Sequence, residues 1–498
     1  MAGIGFELKK AFRKQGLFAL LRAYGYAGIV CAGPMILGMV LLLGVRIVGK
    51  LAGAGEAEMS SLNTAVTYTL IFSMIAINAL SMVTTRYTAD MLYTGKEDRV
   101  LPSLHGSICL ICAIACPIWG LFLLNSGMAA DLAVLSFIFF GEMIIVWTQI
   151  NYLTAIKDYR GVLIAFAVSV TVSLLLCYVL TVWLKWLNTA FALMLCVTLG
   201  YGILAIWYEK LLLDYFPKGN CSMLYFLEWA DRYPELAPLG MCLAVGLFGH
   251  LVIMWFSPEH VHVAGLLWET PIYDIPAFIA FFSILITTIN FVTSVEVEFY
   301  PTYRNFFALL NDEGSLADVE QAKQTMQETL IREMTYAFVK QFFSTMIFII
   351  GGTLILPMLP LGFSEDMLGI FRVLCCAYAF YAMGNCMMLL QLYFADNRGA
   401  LISAGLFAAV TVAGTIISLF LDVKWYGVGF LLGGAVFAAA TLIQLREYLS
   451  KILEHILTRQ PLKPQEVTGL CCKIGREAEK RYREKHPELE LEEEEARF

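Results

Sequence analysis

The side chains whose type and spacing bear on chemistry are few. His105, Cys109, Cys112 and Cys116 fall at i, i+4, i+7 and i+11, on one face of one apolar run. Histidine and cysteine are zinc ligands, but four ligands spread over about 16 Å of helix rise cannot converge on one ion at ~2.0–2.3 Å. The cysteines are read as small packing residues. Glu56 and Glu58 form an acidic pair in a short expected loop, where a metal-binding pair of a glycosyltransferase would need a large folded region around it. Glu259, His260 and His262 are read as a solvated loop. The chain has no phosphate-cradling glycine loop, no G-x-S-x-G and no H-E-x-x-H. An enzyme is disfavoured, and no catalytic residue, metal or cofactor is expected.

Ionisable and amide side chains inside apolar runs point elsewhere. A charge at mid-bilayer is costly and persists mainly in cavities and pathways. Glu142 is the clearest case, near the middle of its run. It reads either as a substrate-path or coupling residue or as a protonated packing residue. Asn78, Asn290 and Asn385 are further path candidates, although interhelical hydrogen bonding is the default for such amides. Asp274 lies near the outer end of a run. Arg86 ends one run, and Glu296, Glu298 and Tyr300 end another. These four are candidates for a salt-bridged cytoplasmic gate, with Pro301 as a potential break in the helix that would align them.

The elements that carry these residues are membrane spans. Of 498 residues, 59% are hydrophobic and 15% charged, whereas soluble domains run near 45–50% and 25%. The apolar residues form runs of roughly twenty, enough for a helix to cross about 30 Å of hydrocarbon. They are continuous and not alternating, so the expected fold is all-α. About twelve spans are placed at 24–47, 64–88, 104–124, 131–153, 161–183, 188–208, 237–256, 271–296, 337–357, 367–394, 400–421 and 426–447. Positive charge stays on the cytoplasmic side. One side of this arrangement holds only Arg46, Lys50, Lys185, Arg372 and Lys424. Nearly all other Lys and Arg fall on the opposite side, so both termini are expected in the cytoplasm. The 13 cysteines lie mostly inside spans and imply no disulfides. The net charge of −7 owes much to the run from Glu488 to Glu495. It signals no partner, and nucleic acid is not expected. Trp183, Trp186, Trp255, Trp268 and Trp425 read as an aromatic belt.

Two echoes fall six spans apart. Asp158-Tyr159-Arg160-Gly161-Val162-Leu163-Ile164 matches Asp396-Asn397-Arg398-Gly399-Ala400-Leu401-Ile402, and Val83-Thr84-Thr85 matches Val292-Thr293-Ser294. A duplicated six-helix unit gives two bundles related by an axis along the membrane normal, with a substrate path between them. The expected organisation is an N-terminal bundle over 1–210, with an amphipathic segment at 3–16, and a cytoplasmic linker over 211–236. A C-terminal bundle over 237–448 and a charged tail over 449–498 follow. Within the second bundle, 300–333 is expected to hold an amphipathic helix on the membrane or a partner, opened by a capping box at Ser315–Asp318.

Three further motifs are Met1-Ala2-Gly3-Ile4-Gly5-Phe6-Glu7-Leu8, Leu21-Arg22-Ala23-Tyr24-Gly25-Tyr26-Ala27-Gly28 with Gly33-Pro34, and Thr85-Arg86-Tyr87-Thr88-Ala89-Asp90. They resemble the PelG family, transporters of the Pel exopolysaccharide in the multidrug/oligosaccharidyl-lipid/polysaccharide flippase superfamily. The likeness continues in Ile272-Tyr273-Asp274-Ile275-Pro276, Glu296-Val297-Glu298-Phe299-Tyr300 and Trp425-Tyr426-Gly427-Val428-Gly429-Phe430. It runs from residue 1 to about 450 and leaves out the acidic tail. The resemblance implies two six-helix bundles in the bacterial cytoplasmic membrane, surrounded by membrane lipid. It also implies passage of a growing amino-sugar polysaccharide made by a cytoplasmic PelF-like glycosyltransferase, with PelD-like and PelE-like membrane partners. A lipid-linked oligosaccharide flippase and a cation-coupled small-molecule antiporter are the alternatives within the superfamily. A scaffold that anchors the synthase is the alternative outside it.

Overall fold

Continuous apolar runs cross lipid only as helices, because hydrocarbon cannot satisfy the backbone groups of an open strand. The computed structural model describes residues 37–38, 40–156, 159–184, 188–217, 219–311, 314–358, 362–459 and 467–487. Among them, 11 helices are long and apolar enough to cross a membrane, and these coincide with the second to twelfth expected spans. Helix α1 (40–52) covers the end of the first. The segment at 3–16, most of span 24–47 and the acidic run from Glu488 lie outside the described residues.

The chain proceeds through α2 (Glu56–Tyr93), α3 (Val100–Asn125), α4 (Ala130–Ile156), α5 (Tyr159–Tyr178), α6 (Thr189–Tyr215), the short α7 (Glu228–Arg232) and α8 (Leu236–Met254). A hairpin of β1 (Val261–Ala264) and β2 (Leu267–Glu269) leads into α9 (Pro271–Phe281), α10 (Leu285–Ser294) and α11 (Tyr300–Asn311). Then come α12 (Leu316–Ile355), α13 (Glu365–Tyr393), α14 (Asn397–Ser418), α15 (Val428–Ser450), α16 (Ile452–Arg459) and α17 (Leu470–Lys485).

The described residues form two compact units. One holds residues up to 248, the hairpin 261–269 and the tail 467–487; the other holds 249–260 and 270–459. In the first, α4 packs against α2, α3 and α6. In the second, α15 packs against α13 and α14, and α12 against α10, α11 and α13. The α14–α15 contact depends on glycine. A Cβ on Gly414 would lie 2.8 Å from the Gly429 Cα, and one on Gly429 would strike the Gly414 and Thr415 backbone. Small residues let membrane helices approach this closely. Gly427, at φ +87°, turns the chain into α15 in a conformation that glycine adopts at little cost.

Three local expectations are corrected. Glu56 and Glu58 are not in a loop. They occupy the first turn of α2, where the helix dipole favours acid, and Glu58 accepts from the Gly55 N–H at 3.4 Å. The segment 300–333 falls in two helices, α11 and the start of α12, and not in one separate amphipathic helix. The capping box forms as expected, with Ser315 Oγ accepting from Asp318 N at 3.2 Å. No glycine or proline follows until Gly351, so the helix runs on into the ninth span. Of the apolar stripe at Leu316, Val319, Met326 and Leu330, the last three are buried in their own unit with Phe299, Phe306 and Leu390, and Leu316 is exposed. The loop before α9 is a two-stranded antiparallel hairpin, with His262 opposite Trp268.

The second echo motif is a helix cap. Asp396 accepts from the Gly399 N–H at 3.3 Å to open α14, and a Cβ at 399 would collide with that carboxylate. Asp158, its counterpart, lies outside the described residues.

Candidate functional site

Glu142 sits near the middle of α4, half-buried, and its Oε2 is buried with no hydrogen-bond partner among the described residues. Space for it comes from Gly202 on α6, where a Cβ would stand 3.0 Å from Glu142 Oε1. Two turns further along both helices, Gln149 of α4 meets Glu209 of α6. Gln149 Nε2 donates to Glu209 Oε2 at 2.9 Å and to the Ala205 carbonyl at 3.1 Å. The other carboxylate oxygen, Oε1, lies 2.7 Å from His105 Nε2 on α3. An ionised carboxylate only accepts, so that nitrogen donates. The seven-residue steps 142–149 and 202–209 keep each pair on one helix face. Glu142 and the cluster of Gln149, Glu209 and His105 thus lie along one side of α4, two turns apart.

The other unit holds a second seam, between α12 and the stretch from 283 to 290. Thr287 donates to Gln341, whose amide reaches Thr345 Oγ1 at 2.9 Å and the Ser283 carbonyl at 3.4 Å. Lys340 Nζ donates to Asn290 Oδ1 at 3.2 Å.

The remaining candidates are placed separately. Asn78 donates to the Met74 carbonyl of its own helix at 2.7 Å, and its backbone is where Gly240 of α8 makes close contact with α2. Asn385 is half-buried on α13. Asp274 caps α9, accepting from the Thr270 N–H at 2.9 Å and from Trp255 Nε1 at 3.2 Å. Trp255 is accordingly buried, whereas Trp183 and Trp425 are exposed as a belt requires.

Arg86 lies 3.2 Å from Asp90 and 5.0 Å over the ring of Tyr233. Asp90 also accepts from Trp229 Nε1 at 2.8 Å, and the buried Tyr87 ring packs edge-on to Trp229. The motif from Thr85 to Asp90 thus anchors the linker around α7. Glu298 is exposed, and Tyr300 stacks on Tyr303; the Glu296 side chain lies outside the described residues. Val295–Phe299 form a π-turn ahead of Pro301. Proline lacks the N–H a helix needs and crowds the carbonyl four residues back, and a widened turn accommodates both. That turn changes the register on which the spacing of Glu296, Tyr300 and Arg304 was counted.

Glu209, Gln149, Gln341 and Lys340 were not singled out from sequence. Glu209 and Lys340 read as flanking charges, and His105 entered only through its cysteine spacing. The sequence signal for Gln149 is its seven-residue step from Glu142 on the same run.

Residues 1–457 match the family described as "PelG: Putative exopolysaccharide Exporter (EPS-E)". The chain belongs to the PelG family. No curated protein matches it. Among solved structures, an outward-facing multidrug resistance MATE family transporter of the MOP superfamily aligns at a TM-score of 0.55 and 13% identity. The alignment covers 86% of this chain and 96% of that one. An inward-facing conformation aligns at 0.55 and 14% identity, covering 86% and 99%. A MOP superfamily transporter from Pyrococcus furiosus Vc1 (DSM3638) aligns at 0.54 and 11%, covering 86% and 96%. At these identities the likeness is one of fold. This PelG-family chain is a multi-pass membrane protein with a transporter fold, and an inner-membrane location fits an exporter.

Proposed function

We propose that this chain exports a growing, amino-sugar-rich exopolysaccharide across the cytoplasmic membrane without a covalent step of its own. Both termini then face the cytoplasm. A PelF-like glycosyltransferase supplies the polymer there, and PelD-like and PelE-like proteins assemble beside the chain. The carrying observation is Glu142 within α4 together with the cluster of Gln149, Glu209 and His105 two turns along. Sugars present hydroxyl and amide groups, and a path for them needs hydrogen-bonding side chains within the spans. The seam of Thr287, Asn290 and Gln341 has the same character in the other unit. Reconstituting the chain with its synthase in vesicles tests the reading: polymer should reach the lumen only when both are present. Lumenal polymer without this chain overturns it.

A cation-coupled small-molecule antiporter is the second reading, favoured by the Glu142 oxygen that no described residue hydrogen-bonds. Uptake of a small solute by vesicles holding this chain alone would favour it.

A further inference from the structure

The tail beyond the family match folds back onto the first unit. One face of α17 is fully engaged there. Cys472 N donates to Asp231 Oδ2 at 2.6 Å, and the buried Glu479 accepts from Ser222 N at 2.8 Å. Gly475 lies against the backbone of 224–225, where a Cβ would come within 3.2 Å of the Leu224 carbonyl oxygen. Arg476 reaches Glu228 at 3.4 Å. Docking therefore fixes which face of α17 is turned away.

That other face closes a cavity of about 1210 Å³ against the ends of α3 and α6. Its tail side is a row at four-residue spacing: Lys473, Glu477, Arg481 and Lys485, all exposed. Glu477 pairs with Arg481 at 3.1 Å. Lys473 and Lys485 have no ion-pair partner among the described residues, and the four side chains of the row sum to a net positive charge. Ile474, Ala478 and Tyr482 form the next row inward. The opposite wall includes Cys109 and Leu213, both exposed on helices apolar enough to cross a membrane. The cavity thus has a row of charged side chains on α17 and, across from it, a wall that is apolar at Cys109 and Leu213 and polar at His105.

We infer that this cavity binds an anionic phospholipid of the leaflet on the tail side. Lys473 and Lys485 stand about 18 Å apart along α17, so each would hold a headgroup phosphate of its own, and the acyl chains would lie along Cys109 and Leu213. A cationic row alone would take free phosphate; the apolar wall selects an amphiphile. Basic pockets beside spanning helices recognise lipid headgroups on these terms.

The test uses the full chain in nanodiscs and native mass spectrometry. Phosphatidylglycerol should stay bound where phosphatidylcholine does not. Lys473→Gln with Lys485→Gln should reduce its retention roughly fivefold or more, while Lys451→Gln with Lys480→Gln, an equal loss of charge, should leave it unchanged. Ala478→Trp, which fills the cavity and keeps every charge, should also reduce it. Equal loss in the control pair would show a general surface effect and overturn the site. Competition by inorganic phosphate at concentrations matching the lipid would make it a phosphate site. Equal retention of both lipids would leave no selective pocket.

Discussion

At the scale of single residues, Glu142 and Arg86 are the informative side chains. Gly202 leaves room beside Glu142, and no described residue hydrogen-bonds its Oε2. Under the export reading that oxygen meets substrate. A hydrogen bond to a charged group contributes about 1.5–3 kcal/mol, so Glu142→Gln should lower export roughly tenfold at normal abundance. Glu142→Leu, which removes every acceptor, should lower it further. Gly202→Ala should act in the same direction by pushing the carboxylate aside. Polymer reaching the vesicle lumen at matched protein levels measures all three, and full export by both Glu142 variants reduces the residue to packing. Arg86 has two readings that one experiment separates. As an anchor it holds Asp90 and Tyr233; as a gate it would pair with Glu296 or Glu298. Arg86→Glu should impair export in either case. Rescue by Asp90→Arg favours the anchor, whereas rescue by Glu296→Arg or Glu298→Arg favours the gate. If neither acid swap rescues stably inserted protein, the gate is abandoned.

At the scale of elements, close packing and capping make separate demands. A methyl group at 429 would strike the backbone of α14, so Gly429→Ala must separate α14 from α15. Overpacking costs typically 1–3 kcal/mol, and the melting temperature of the detergent-solubilised protein should fall accordingly. Asp396→Ala removes the cap of α14 and should cost about 1 kcal/mol. An unchanged melting temperature in both variants would mean that neither contact contributes to stability.

For the whole molecule, the testable property is topology. Positions 55, 97, 188, 220 and 262 are all exposed. In a cysteine-free chain, single cysteines at Gly55, Asn188 and His262 should react with an impermeant reagent added outside intact cells. Cysteines at Glu97 and Asn220 should not. Labelling of the second group would invert or break the arrangement of spans.

The sequence by itself determined that the protein is a bundle of membrane helices and roughly where each one lies. Continuous apolar runs of spanning length have no other stable form in lipid, and the capping box at Ser315 and the Asp396–Gly399 cap are short-range events written in adjacent residues. It also supported the family, through motifs such as Thr85–Asp90, although it left open that this motif anchors a linker. The tertiary structure decided what depends on neighbours distant in the chain. Glu209 is a flanking charge in sequence and becomes part of a site only because α6 brings it to Gln149 and His105. The first turns of α12 carry an apolar stripe in sequence, and only packing shows that Val319, Met326 and Leu330 of that stripe are buried with residues of α11 and α13. The tail's docking on Asp231 and Ser222 joins residues more than 240 positions apart. No local periodicity records such a contact, because its energy comes from surfaces that exist only once the helices have assembled.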